Sequence, residues 1–398
     1  MSERVGGAAT LQGLRVVEVA QNLAGPYCGR ILAGLGADVV KVEPPEGDAA
    51  RRWGPPFADG EGTLFMVANP GKRSISLDLR RPGGLEVMRR LVRGADVLIE
   101  ALRPGAFSAM GFGWDDARSL NPRLIYASVL AYGERGPLAD LAGYEPLMQA
   151  QAGLMSYTGE AEGPAVRVGT SVVDLGTGMW TAIAVLAALR ERDRTGVGTR
   201  ISASLFDTAL AWSGYHLIGH AADGTVAGRH GTELPMICPY GSFPAADGAV
   251  MIAVGNDALF GRLCVALGLE EARADARFAT NPERVAHRAA LNALMGARTA
   301  ERTVERLLAD LREAGVPCAP IQDIAQVAVD PQTGASEMLH PPEGGEGVPN
   351  VAIPLRWDGL RGEASHAPPA AGADTKAVLR ELDYTADEID ELRRSATV

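Results

Sequence analysis

The chain has 398 residues, enough for two or three domain-sized units with a full hydrophobic core. A net charge of −11 argues against a phosphate-backbone binder, because nucleic-acid affinity rests on clustered Lys and Arg, so no nucleic-acid partner is expected. Residues 1–10 lack the basic-then-apolar pattern of a signal peptide, and no uninterrupted apolar run approaches the ~20 residues that span a bilayer. A soluble, cytoplasmic protein with no membrane partner is the expectation.

Residues 14–20 (LRVVEVA) read as a strand, residues 24–35 as a helix closed by Gly36, and residues 38–43 (DVVKVE) as a second strand. Strand–helix–strand at this length is a βαβ unit and implies a parallel, Rossmann-like sheet. A dinucleotide site with Glu43 as the ribose acid fails on its glycines. Gly34 and Gly36 fall at the end of the helix, where glycine is a stop, whereas the phosphate fingerprint needs them at the start. Residues 82–93 read as an amphipathic helix, residues 95–101 and 124–129 as further strands, and residues 130–137 as a turn-rich loop. Ligands in open α/β sheets gather at the carboxyl ends of the strands, which makes Tyr132 and Gly133 in that loop candidates.

Residues 166–173 are rich in β-branched side chains and lead through Asp174, Gly176 and Gly178 into a long apolar run. This is an extended segment entering a buried helix, with Asp174 at or near its N-terminus. Two readings of Asp174 stand side by side. It is a helix cap accepting a free N–H, or it is an ionised carboxylate, favoured by the helix dipole, that serves as a nucleophile. Two glycines beside it would let a bulky ligand approach the backbone.

Beyond it, residues 199–204 read as a strand and residues 206–220 as one apolar helix carrying His216 and His220. Four cysteines (Cys28, Cys238, Cys264, Cys318) are scattered without a C-x-x-C pair, so they are expected in the core, and no metal site is expected. A smaller domain opens with a strand at residues 249–254 and continues through helices near 259–267, 288–295 and 301–314. Residues 341–372 read as a Pro/Gly-rich loop, and residues 374–394 as a helix pair returning to the large domain. The expected divisions are residues 1–225, 226–330 and 331–398.

Several stretches together resemble the class III CoA-transferases, the family of formyl-CoA, carnitine and dicarboxylate CoA-transferases, with 2-methylacyl-CoA racemases as relatives. They are LxGLRVVE…AGP…LGADVVKVEPPEGD, NPGKRSISLDLR, GYEPLMQAQAGLMSYTG and RVGTSVVDLGTG. The resemblance implies an α/β fold: a Rossmann-like large domain plus a smaller α+β domain, in an interlocked homodimer. It implies Asp174 as covalent nucleophile, passing CoA through an aspartyl-CoA thioester, with the nearby glycines offering N–H groups to the oxyanion. CoA would be a cosubstrate, with no permanently bound cofactor. Its contacts would be Leu23, Ala24, Leu77, Asp78, Leu79, Arg80, Leu102, Arg103, Tyr132 and Gly133, with Arg103 the foremost phosphate partner. Pro44, Ala101 and Ala109 depart from the family pattern where relatives carry CoA-contacting polar residues. Tyr144 would position the acceptor or simply pack, and Glu145 would orient a group beside Asp174 or make a structural bond. Racemase relatives have His at the position of Tyr144, and a phenol is a poor base at neutral pH. A racemase and a CoA-binding protein without turnover remain the alternatives. Succinyl-CoA and a small carboxylic acid are the substrates that the commoner relatives suggest.

Overall fold

A computed structural model describes residues 10–341, 347–361 and 367–398. Residues 1–9, and parts of the stretch expected as a loop over 341–372, lie outside the described residues. The chain forms two compact units. The first comprises the chain up to residue 154 with residues 168–218 and 331–398, and the second comprises residues 155–167 and 219–330.

The first unit is built on β1 (Arg15–Val19), α1 (Ala24–Gly34), β2 (Asp38–Glu43), β3 (Arg73–Ser76), α2 (Pro82–Gly94), β4 (Val97–Glu100), β5 (Ile125–Leu130), α3 (Glu145–Gln151), α4 (Val172–Thr195), β6 (Thr199–Ser204) and α5 (Leu205–Trp212), while α6 (Gly214–Asp223) starts in it and ends among residues of the second. Its parallel sheet has six strands in the order β3-β2-β1-β4-β5-β6. Strand side chains alternate between faces, so the near-continuous Val/Ile runs fill two cores. Val16, Val39, Ile99 and Ile125 pack under α1 and α4, together with Cys28, Leu32 and Val185. Val17, Val40, Leu98 and Tyr126 face α2, with Val87, Met88 and Leu91.

In the second unit, β7 (Tyr240–Ala245), β8 (Gly248–Ala253) and β9 (Cys318–Pro320) form an antiparallel sheet in the order β9-β8-β7. The helices α7 (Asp257–Leu267), α8 (Arg288–Thr299) and α9 (Val304–Glu313) cover it, burying Phe260, Leu291 and Leu307. The strand expected to open the smaller domain, residues 249–254, corresponds to β8, and β7 precedes it. The tail helices α10 (Thr375–Glu381) and α11 (Ala386–Arg394) do return to the first unit, where Val378, Leu379, Ile389 and Leu392 join the α2-side core. Between them and the second unit, the expected loop carries two short antiparallel pairings, Leu339–His340 with Asn350–Val351 and Arg356–Trp357 with Leu360–Arg361. The single helix expected over 206–220 is two helices that meet at Ser213.

Two glycines of α4 are packing devices. A Cβ on Gly178 would lie 2.7 Å from the Ala24 carbonyl oxygen and 3.1 Å from the Cys28 nitrogen, and one on Gly176 would lie 2.7 Å from the Trp212 ring. They let α4 cross α1 and α5 at backbone distance. The N–H groups of this helical stretch are used within α4, which removes the expected oxyanion role of these glycines. Gly178→Ala should therefore lower stability by about 1–3 kcal/mol through overpacking. Urea unfolding measures it, and an unchanged midpoint would mean that α1 moves aside without cost.

Candidate active site

The carboxyl ends of the strands open into two clefts. The first, about 230 Å³, lies beyond β1, β2 and β3 and is lined by Ala20, Pro44, Leu77, Asp78, Leu79, Arg80 and Leu102, among others. Most of this wall is apolar, with the Leu77 side chain at its base and almost wholly buried. Arg80 stands 70% exposed at the rim, and its guanidinium donates to both Asp78 oxygens at 2.7 and 3.1 Å. Those bonds hold the Asp78 carboxyl below the usual carboxylate range. Asp78 thus orients Arg80, which leaves the arginine as the polar group presented to solvent. Pro44 lines the wall without a charge, as its departure from the family pattern implied.

A second cleft, about 460 Å³, lies beyond β4 and along β5, reaches Arg200 near the start of β6, and includes Leu102, Arg103, Gly133 and Glu100. Leu102 is shared by both clefts. Arg103 is exposed, and its side chain makes no ion pair or hydrogen bond among the described residues, so its charge is available to an anion. Arg200 is paired with Glu134 at 2.8 Å. Burial pushes the Glu100 carboxyl up, against the opposing bond from Ser128, and its Oε2 accepts from the Leu102 backbone N–H at 3.3 Å.

The structure therefore divides the predicted CoA contacts. Leu23 and Ala24 begin α1 and are buried, lining neither cleft. Tyr132 also lies outside both and instead packs its ring against Phe206 at 6.0 Å. Arg51 is buried in a bidentate bond to Glu43 (2.6 and 2.8 Å) and pairs with Glu61, while Arg52 is exposed. Glu43 also accepts from Ser74 and the Asp48 N–H, so no oxygen is left for a ribose.

Asp174 is the third residue of α4, and the N-cap is Ser171, so the capping reading is corrected. Its partly buried carboxylate makes no hydrogen bond or ion pair among the described residues. Burial first, and then the negative charge of Glu145, push its pKa up to about 7. The dipole at the helix start favours the anion, but desolvation and a like charge outweigh it. The expectation of a fully ionised group is thus revised to one balanced near neutrality.

Glu145 begins α3, is 3% exposed, and accepts from the Val173 backbone N–H at 3.4 Å and from Gln149 Nε2 at 2.5 Å. Tyr144, at the N-cap of α3, is 63% exposed and meets Trp53 edge-to-face at 6.5 Å. Neither Trp53 nor Gln149 was singled out from the sequence. Gln149 had a usable signal, since it lies one helical turn after Glu145. Among the described residues no group of three His, Cys, Asp or Glu side chains is placed to hold a metal.

A parallel sheet with clefts at its carboxyl edge and a helix-start carboxylate that makes no bond among the described residues define an α/β protein with a candidate acidic centre. Over residues 11–375 the chain matches the profile of CoA-transferase family III. It is similar to the succinate–glutarate CoA-transferase of Agrobacterium fabrum, with 39% identity over 94% of this chain and 96% of that protein. It is also similar to the mouse succinyl-CoA:glutarate CoA-transferase, with 35% identity over 98% of this chain and 90% of that protein. Among solved structures it resembles a CaiB/BaiF family protein from Brucella suis, with a TM-score of 0.85 and 41% identity over 94% of this chain and 99% of that one. The chain belongs to CoA-transferase family III, the class III CoA-transferases.

Proposed function

We propose that the protein moves CoA from succinyl-CoA to a short dicarboxylate such as glutarate, with Asp174 as the covalent carrier. The observation that carries this is the unbonded Asp174 carboxylate, poised near neutrality in the first turn of α4 beside a buried Glu145. The acyl groups are those of the two similar transferases.

In the first half-reaction an Asp174 oxygen attacks the thioester carbonyl. The C–S bond breaks, CoA leaves as thiolate, and a mixed anhydride remains. The thiolate then attacks the Asp174 carboxyl carbon, expelling the donor as its carboxylate and leaving an aspartyl-CoA thioester. The acceptor carboxylate repeats the two steps in reverse order and regenerates Asp174. Each exchange is nearly symmetric, which suits a carboxylate nucleophile. Leu77–Arg80 and Leu102 would seat the CoA nucleotide, with Arg103 on phosphate and Tyr144 toward the acceptor. Leu23, Ala24, Tyr132 and Gly133 would shape the surrounding loops. The exposed apolar Met179, Trp180 and Ile183 on α4 suit cover by a second chain of a homodimer. Four free thiols suit the reducing cytoplasm.

The test is to incubate the protein with succinyl-CoA without acceptor, quench with hydroxylamine or borohydride, and map the product by mass spectrometry. Modification at Asp174, absent in Asp174→Ala, is expected, and an unmodified Asp174 would count against the covalent route. For Arg103→Ala, the KM for succinyl-CoA should rise about tenfold with kcat little changed, as for binding shared by ground and transition states. An equal fall in kcat would move Arg103 into the chemistry.

A further inference from the structure

Gln149 is a fully buried polar side chain, one turn after Glu145, that the reaction above leaves unused. Both ends of its amide are engaged. Oε1 accepts from the Val168 backbone N–H at 2.9 Å, and Nε2 donates to Glu145 Oε1. The Val168 amide can only donate, which fixes the amide's sense: the NH₂ side must face Glu145. A donor held there fixes where the Glu145 carboxyl sits. The same Glu145 oxygen accepts from Val173, the residue before Asp174, so the negative charge is fixed against the first turn of α4. Further along α4, the neighbours of Gly176 and Gly178 are Tyr27 and Cys28 on α1 and Thr208 and Trp212 on α5. Glu145 is the charged group that acts on Asp174.

We propose that Gln149 is a positioning residue of the transferase reaction, holding the Glu145 carboxyl against the first turn of α4 so that acylation of Asp174 relieves a like-charge contact. This rests on Asp174 being the nucleophile. When an Asp174 oxygen forms its bond to the acyl carbon, the negative charge departs on the CoA thiolate, and the same carboxyl is neutral again in the thioester. Repulsion from Glu145 therefore acts on the free enzyme and vanishes in both covalent states. Burial of Asp174 adds in the same direction, since the neutral adducts lose less by leaving water than the anion does. Gln149 acts on this effect through Glu145 and touches no reacting atom.

The experiment compares pH profiles of kcat/KM, and adduct yield with succinyl-CoA, for the full-length wild type, Gln149→Met, Gln149→Glu, Glu145→Gln and the Gln149→Met/Glu145→Gln double variant. Gln149→Met is expected to lower kcat about tenfold with KM within about twofold. Its acidic limb should shift down by about one pH unit or more, because a Glu145 carboxylate no longer held against the first turn of α4 opposes ionisation of Asp174 less. Its adduct yield should fall in parallel. In the Glu145→Gln background, Gln149→Met should add no further shift.

Gln149→Glu is near-isosteric and guards against a Gln149→Met variant that does not fold. Its new carboxyl can donate to Glu145 only while protonated, so its activity relative to wild type should decline as pH rises. A lower kcat with an unmoved acidic limb in Gln149→Met, or a wild-type-shaped profile in Gln149→Glu, would overturn the proposal. Asp174→Ala separates the two readings. If that variant turns over, the nucleophile and this inference both fail. If it is inactive and wild-type adduct maps to Asp174, unchanged Gln149 profiles sink the positioning role alone.

Discussion

Asp174→Asn is expected to lose about 10⁴-fold or more in transferase kcat, as nucleophile removals do, and at the same time to make the protein more stable at neutral pH. The two effects share a cause. The folded protein holds the Asp174 pKa at about 7, against an ordinary value of 3.8, through burial and the Glu145 charge. Between these values the folded state keeps a proton that the unfolded chain has released, so the wild type loses stability as pH rises from about 4 to about 7. Above that range the whole cost is present, and below it the cost is gone. At about 1.4 kcal/mol per pKa unit, discounted for the carboxylate's partial exposure, the cost at pH 7.5 is about 2–4 kcal/mol. The amide carries no charge and no such cost. Its unfolding midpoint in urea should therefore exceed that of the wild type at pH 7.5 and converge with it near pH 4. A variant that is inactive yet no more stable at pH 7.5 would leave the nucleophile in place and remove the strained-carboxylate account. Activity and stability pull in opposite directions at this residue, as they do where a site is held away from its most stable state.

The sheet was legible because its strands are short Val/Ile runs set off by glycine and polar turns. Residues 38–43 and 199–204 match β2 and β6 end for end, and α1 starts at Ala24 as read. Helix continuity at Ser213 was not legible, since residues 206–220 keep their apolar character across the junction of α5 and α6. Asp174 itself could be found but not its state. A propensity argument sees the helix start and its dipole, whereas the upward pKa shift comes from desolvation and from Glu145, 29 positions earlier in sequence. The roles of Gly176 and Gly178 were hidden for the same reason. Only the approach of Ala24, Cys28 and Trp212 shows that the missing side chains make room for helices instead of a ligand. Glu18 and Lys41 were visible as charges inside apolar strands, but Asp48 and Lys72, which complete their cluster, come from later loops.

Those two charges carry the second large effect. Glu18 on β1 pairs in register with Lys41 on β2, and its carboxylate bonds Lys41 Nζ at 3.1 Å and Lys72 Nζ at 2.7 Å. Asp48 completes the charge balance at 2.8 Å from Lys41, and Asn69 bonds Lys72 at 2.9 Å. All five side chains are buried. A Cβ on Gly29 of α1 would overlap Glu18 Oε2, so the carboxylate lies directly against the helix backbone. The cluster also reaches toward the site: Lys72 donates to the Pro26 carbonyl in the first turn of α1, and Lys41 donates to the carbonyl of Ala20, which lines the smaller cleft.

Glu18→Leu should lower stability by about 3–5 kcal/mol, the cost of breaking a buried pair from one side. Lys41 keeps Asp48, but Lys72 keeps only neutral acceptors. Burial already lowers Lys72 to about 8 despite Glu18, and without that anion it falls further. A lysine depressed in the folded state destabilises most where it must be charged, so its share of the deficit should be largest at acidic pH. That share should shrink as pH rises to about 8, where wild-type Lys72 also sheds its proton. Adding Lys72→Met should return much of the loss, because an apolar pair of similar volume suits a dry interior. Urea unfolding of wild type, single and double variants at pH 6 and pH 9 reads all three statements. A deficit in Glu18→Leu that is the same at both pH values and untouched by Lys72→Met would mean that packing against α1, and not charge balance, is what Glu18 supplies.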